Sequence, residues 1–286
     1  MAIFQKAYRG YEGQFSPLYL RPLVIFRYVL ADMFSSRLFI AFFIACFAPV
    51  VFGTITVYMR YNLDAIMQLE VNVNSLVYVD AEFFADWILI PQLQLILVLI
   101  MFNGPTMVAP DLRNNAMPLY LSRPISKLSY ISGKFLAILV LGSLVSWIPF
   151  NLLLFYQSYL AGNNWLAANA NLPFAAIGIS FIWITTLTLL SFAISATVKW
   201  APIARLAFFG IVFVSAVLGN VINAIVGGYV GSFFNIYDAL ESLIWNGFGL
   251  SDVKMPVSAA LSMLSALAVV SFLVLMRRIR ANEVVA

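Results

Sequence analysis

The sequence contains no histidine, and its 286 residues include a single cysteine, Cys46. A lone cysteine cannot form a disulfide within the chain, and without histidine it has no partners for a zinc site. Charged residues are also scarce, at 10% of the chain, whereas soluble domains contain about a quarter. With so few titratable groups, metal-assisted and general acid–base catalysis lack the side chains that they require.

Hydrophobic residues make up 63% of the chain and occur in long uncharged runs. A soluble fold of this length could not bury so much apolar surface, so lipid is the expected solvent. Six runs approach the ~20 residues that cross a hydrocarbon core, and lipid requires such segments to be helical. The predicted fold class is therefore an all-α integral membrane protein with six transmembrane helices. The predicted spans are residues 38–59, 84–102, 131–156, 174–198, 203–226 and 257–276.

The distribution of positive charge predicts the orientation of these spans. All lysines and arginines except Arg60 and Lys254 fall in the N-terminus, in two alternate connections, near Lys134, or in the C-terminus. Connections rich in lysine and arginine stay in the cytoplasm. Both termini are therefore predicted to be cytoplasmic. No apolar run directly follows Met1, so no cleavable signal peptide is expected.

Residues 1–37 are predicted to form a cytoplasmic segment with an amphipathic helix, followed by the transmembrane domain at 38–286. Pro22 suits the start of a helix, and apolar and polar residues then separate onto two faces. Such a helix lies flat in the membrane interface; the alternative is a simple overhang of the first span. The residues assigned to the interfacial helix are Arg21, Phe26, Arg27, Asp32 and Phe34.

The connection at residues 105–130 contains four prolines, which predict at most one or two short helices. It displays charges of both signs among leucines, a pattern that suits docking to another protein. A solvated loop that only enforces the orientation is the alternative. On the outer side, residues 227–256 mix glycines with aromatic residues and are predicted to form a re-entrant or interfacial helix pair.

The predicted spans contain amides rather than buried carboxylates. Amides can line a polar path or hold helices together by hydrogen bonds, and the sequence leaves both roles open. The amides assigned to one of these roles are Gln92, Gln94, Asn151, Asn220 and Asn223.

The stretch from Asp111 to Lys134 resembles the permease subunits of type-2 ABC exporters. In that family the corresponding loop contains an acidic residue, a Gly-Thr pair, a Leu-[Ser/Thr]-x-Pro element and a final Gly-Lys. Here Asp111 stands at the acidic position, Leu121-Ser122-Arg123-Pro124 matches the proline element, and Gly133-Lys134 matches the last pair. The departures are Asn115-Ala116 for Gly-Thr, and aspartate for glutamate.

The resemblance implies that the loop docks on a separate cytosolic ABC ATPase, which would bind ATP and magnesium, and that two permease chains pair in the cell inner membrane. It implies no catalytic residue, metal or cofactor in this chain, and no nucleic-acid partner. A phosphate-binding loop would need Gly-Lys-[Ser/Thr], whereas Lys134 is followed by Phe135. The residues assigned to docking are Asp111, Leu112, Arg113, Asn115, Leu121, Arg123, Pro124 and Lys127.

Three other functions remain open from the sequence. A secondary transporter or channel usually carries ionisable residues within its spans, and these are nearly absent. A membrane-embedded enzyme lacks the side chains discussed above. A scaffold subunit of a larger complex differs from the exporter only in whether an ATPase docks.

Overall fold

The structure, a computed structural model, describes residues 17, 20–62, 78–114, 116, 126–198, 200–251 and 253–279. Helices hold 86% of these residues, and the described part of the chain contains no strand. Six helical stretches are long and apolar enough to cross a membrane, as the sequence predicts. The chain is therefore an all-α, multi-pass membrane protein.

A short helix, α1 (Arg21–Met33), precedes the first span, with Pro22 in its first turn. The span itself consists of α2 (Arg37–Ala45) and α3 (Ala48–Tyr61). The break falls where Pro49 lacks the N–H that would bond the carbonyl of Ala45. The first span is thus two helical segments in one apolar stretch.

The second span is longer than the sequence predicted. It comprises α4 (Ala81–Phe83), a π-helix (Phe84–Leu89) and α5 (Ile90–Arg113). The prediction ended this span at residue 102 and placed at most one or two short helices in the proline-containing connection after it. The helix α5 instead continues without a break through Pro105 and Pro110 to Arg113, and side chains from neighbouring spans bond its backbone in that stretch.

The third span consists of α6 (Lys127–Val145) and α7 (Trp147–Ala161), and a short helix, α8 (Asn163–Ala168), follows it. The fourth is α9 (Asn171–Thr197), the fifth α10 (Ala201–Val226) and the sixth α12 (Val257–Arg278). The fourth span is central and packs most extensively on the second and sixth. Within its most apolar 18 residues 67% are buried, against 11% in the fifth span.

The predicted outer segment contains a 3-10 turn (Gly231–Phe234) and helix α11 (Ile236–Gly247). The turn packs on the fifth span, with Gly231 touching the carbonyl of Gly219. The segment therefore folds back along about two turns of α10. The helix α11 packs on the fourth and sixth spans.

Arginine and lysine side chains gather at one end of the bundle, which we call the basic end. It holds α1, the C-terminal ends of the second, fourth and sixth spans, and the N-terminal ends of the third and fifth. Arg60 and Lys254 lie at the opposite end, together with α11.

Candidate functional site

A cluster of polar groups joins the second and third spans at the basic end. Lys134, of which only 6% is exposed, forms an ion pair with Asp111 and donates to the carbonyl of Met107. Its amine also lies 2.8 Å from the hydroxyl of Tyr130, which donates to the same carboxylate of Asp111 at 2.6 Å. All three donors of the ammonium therefore have an acceptor, as a buried charge requires.

The cluster joins the two helix ends between which the connection of the second and third spans runs. Asp111 lies in the last turn of α5, and Tyr130 and Lys134 lie on one face in the first two turns of α6. The residues between them form the connection in which docking was predicted. The ion pair of Asp111 with Lys134 therefore links the end of the second span to the start of the third.

Helix α1 packs tightly on the third span beside this cluster. A Cβ added at Gly133 would lie 2.7 Å from the carbonyl oxygen of Pro22 and 2.7 Å from the Cβ of Ile25. Real Cβ atoms do not approach so closely, so glycine is required for this contact. Gly133 and Lys134 therefore have adjacent roles, since one admits α1 and the other holds Asp111.

One face of α1 packs on the third span. Ile25 and Met33 are buried, whereas Phe34 is exposed and Phe26 only half-buried. Phe34 instead contacts the rings of Phe39 and Phe43 on the first span. The remaining assigned residues, Arg21, Arg27 and Asp32, lie on or beside the outer surface of α1.

The fifth span is attached to the second at the same end. Arg205 donates through Nε to the carbonyl of Phe102 at 3.0 Å, and Arg113 lies over the ring of Trp200, 5.0 Å from its centroid. The first contact joins the middle of α5, and the second joins its end, to the start of α10. The interaction of a guanidinium with an indole face is favourable by about 0.5–1 kcal/mol when exposed.

A serine of the fourth span interrupts the backbone hydrogen bonds of α5. The hydroxyl of Ser195 accepts from the N–H of Ala109 at 2.8 Å and donates to the carbonyl of Pro105 at 2.9 Å. In a regular helix those two backbone groups bond each other. The insertion opens the helix between Pro105 and Pro110 and keeps its polar groups satisfied.

Four of the eight residues assigned to docking are in the described part of the chain. Asp111 is bonded within the cluster, Leu112 is half-buried, Arg113 is exposed over Trp200, and Lys127 begins α6. The other four lie outside the described residues: Asn115, Leu121, Arg123 and Pro124. The structure thus brings Asp111 inward and leaves Arg113 at the surface.

The predicted amides occupy different environments. Gln92 is buried and donates to the carbonyl of Val145 at 2.8 Å, whereas Gln94 is exposed. Asn151 is buried and donates to the carbonyl of Trp147 in its own helix. Asn223 bonds Gly231 and Ser232, and the exposed Asn220 accepts from Asn235 at 3.4 Å. Gln92 and Asn223 therefore join separate elements, the packing role left open by the sequence.

Sequence reasoning missed Tyr130 and Ser195, and it assigned Lys134 to the connection rather than to a buried site. The spacing of Tyr130 and Lys134 places both on one helix face, and this was the available signal. No sequence pattern distinguishes Ser195 from the other hydroxyl residues of the fourth span.

A second polar network lies at the opposite end of the bundle. The amine of Lys254 lies 2.7 Å from Glu241 and 3.5 Å from Asp238, and the buried Asp238 accepts from Ser232 at 2.8 Å. Burial by itself lowers the pKa of Lys254, but the hydrogen bond and charge of Glu241, aided by Asp238, outweigh it and raise the pKa. Among the described residues, no group of three histidine, cysteine or acidic side chains could hold a metal ion.

Comparison of the whole chain with models of known protein families and with curated proteins finds no match to either. Its function is therefore argued from the geometry of the basic end and from the loop resemblance.

Proposed function

We propose that this chain is the transmembrane permease subunit of an ATP-binding cassette exporter in the plasma membrane. A separate cytosolic ATPase would hydrolyse ATP and drive substrate across the membrane. The observation that carries the proposal is the ion pair of Asp111 with Lys134, which connects the acidic and Gly-Lys positions of the loop resemblance.

The contacts at the basic end define a route for mechanical force. A partner bound to the connection between Arg113 and Lys127 would displace the last turn of α5 and the first turn of α6. The packing of Gly133 against Pro22 carries this movement to α1. The bond from Arg205 to Phe102 carries it to the fifth span. If the basic end faces the cytoplasm, this route starts where an ATPase docks.

A second copy of the chain would complete the transporter. The first and fifth spans bury only 17% and 11% of their most apolar residues within the chain, and the central fourth span buries 67%. The first and fifth spans are therefore the candidates for contact with a second copy. Disulfide cross-linking of single cysteines placed along their exposed faces tests this arrangement.

The docking proposal is tested by charge reversal at Arg123, a residue assigned to docking by the loop resemblance that lies outside the described residues. The variant Arg123→Glu should lose the ATPase during purification from native membranes, while its insertion stays normal. The matched control is Arg60→Glu, an equal charge change at the opposite end of the bundle. Normal recovery and stimulation of the ATPase by Arg123→Glu would refute docking at this connection.

A secondary transporter is the second candidate, because the ion pair places two ionisable groups at the ends of membrane spans. Transport by the chain alone in proteoliposomes, driven by an imposed proton or sodium gradient, would favour this candidate. The exporter predicts no transport until an ATPase and ATP are added. A native complex without any nucleotide hydrolase would favour a scaffold.

A further inference from the structure

A partly open cavity of about 650 Å³ lies at the basic end, between α1, the start of the first span, α5, the third span and Arg205. Its size falls within the roughly 300–1,000 Å³ of sites that bind small molecules. One wall is largely apolar, and the remaining lining is polar or charged. The apolar side chains of α1 and the first span in this wall are Ile25, Val29, Met33 and Phe39.

Two charges of opposite sign in the cavity lining remain available to a ligand. Lys134 and Asp111 also line it, but they neutralise each other. Arg205 uses Nε for the carbonyl of Phe102, and its terminal nitrogens have no acceptor among the described residues. The carboxylate of Asp32 receives no hydrogen bond from the part of the chain that the structure describes. Within the described part of the chain, the terminal nitrogens of Arg205 and the carboxylate of Asp32 thus lack a hydrogen-bond partner, although Asp32 also lies within electrostatic range of Lys134.

We propose that this cavity binds the headgroup of a phospholipid that carries a primary ammonium, as phosphatidylethanolamine does. Arg205 binds the phosphate, since a guanidinium matches phosphate geometry. Asp32 accepts from the ammonium, and the apolar wall contacts the glycerol and the start of the acyl chains. The cavity lies at the ends of the spans, which is the level of lipid headgroups.

The charge pattern selects among lipids. An anionic headgroup such as phosphatidylglycerol brings no cation to Asp32, which repels it. A choline headgroup has a positive charge but no N–H to donate. Of these three headgroups, only ethanolamine offers a phosphate to Arg205 and N–H donors to Asp32. This inference does not rest on the proposed transport function, because it uses only the cavity and its position in the membrane.

Native mass spectrometry of the delipidated full-length chain tests the proposal. The protein is titrated with phosphatidylethanolamine, phosphatidylcholine and phosphatidylglycerol of identical acyl chains. The wild type should bind the ethanolamine lipid about tenfold more tightly than the others, as one charge-assisted hydrogen bond provides. The variant Asp32→Asn should lose this preference, and Arg205→Gln should weaken binding of all three lipids. Glu82→Gln, an exposed acid at the opposite end, is the matched control and should behave as wild type.

A variant that fills the cavity tests the same site without changing a charge, so indirect effects of charge cannot explain its result. Asn103 lines the cavity, and within the described part of the chain its side chain donates to one group, the carbonyl of Leu99 in its own helix. The larger side chain in Asn103→Phe should therefore exclude the lipid while leaving the thermal melt unchanged. Equal binding of the three lipids to wild type, or retained preference in Asn103→Phe or Asp32→Asn, would overturn the proposal. Competition by soluble glycerophosphoethanolamine as strong as by the lipid would also overturn it, in favour of a soluble ligand.

Discussion

The side-chain amide of Gln92 takes the place of the backbone donor that Pro149 lacks. In a regular helix, residue 149 would donate its N–H to the carbonyl of Val145, and proline has no N–H. The third span breaks there, between α6 and α7. Gln92, wholly buried in the second span, donates Nε2 to that carbonyl at 2.8 Å. The amide of one span thus satisfies a backbone carbonyl that the proline of the neighbouring span leaves unpaired and that lipid could not bond.

This relationship predicts an interaction between two substitutions. Gln92→Leu should destabilise the protein by about 1 kcal/mol more when Pro149 is present than in a Pro149→Ala background, where the backbone can bond Val145 itself. Reversible unfolding of the four proteins in detergent measures this difference. The control Gln94→Leu, at an exposed position, should show no dependence on residue 149. Strictly additive effects of Gln92→Leu and Pro149→Ala would contradict the assignment.

A second prediction concerns the buried ion pair. Asp111→Asn should destabilise the fold by about 3 kcal/mol, because it leaves the ammonium of Lys134 buried without a counter-charge. Adding Lys134→Met to this variant should recover most of the loss, since the double variant no longer buries a charge. Unfolding midpoints in detergent measure both changes. If the double variant is less stable than Asp111→Asn, Lys134 does not depend on Asp111.

A third prediction tests the contact of α1 with the third span. Gly133→Ala should push α1 away from the bundle, because the new methyl group would meet the carbonyl of Pro22 and the side chain of Ile25. Overpacking of this kind costs about 1–3 kcal/mol. A cysteine cross-link between α1 and α6 should form more slowly in this variant. Gly178→Ala, where the added atom meets open space, is the control and should leave cross-linking unchanged.

A fourth prediction follows from the raised pKa of Lys254. A cation whose pKa is raised on folding contributes stability that is complete below its unfolded pKa, near 10.5, and is lost as the pH rises through the folded pKa. Because Lys254 is half exposed, this contribution should stay below about 1 kcal/mol. Wild type should therefore lose more stability than Lys254→Met as the pH rises above about 10.5. Parallel pH profiles of thermal melting for the two proteins would contradict the prediction.

Six spans could be predicted from the sequence because a run of apolar residues long enough to cross a membrane is a local property. The end of the second span could not. Pro105 and Pro110 predict a break in an isolated helix, whereas α5 continues through both, and Ser195 and Lys134 bond its backbone in this stretch from other spans. The sequence likewise could not show that Ile25 of α1 packs on Gly133 of a distant helix.

Composition and charge distribution alone determined that this chain is a helical membrane protein with six apolar spans. Only the tertiary structure decided that Asp111 pairs with Lys134 and that Asp32 and Arg205 line one cavity. It also decided that Gln92 bonds the carbonyl that Pro149 leaves without a donor. The physical reason is the separation along the sequence over which each interaction acts. Hydropathy acts along consecutive residues, whereas hydrogen bonds and ion pairs in lipid depend on which distant side chains the packed helices bring within about 3 Å.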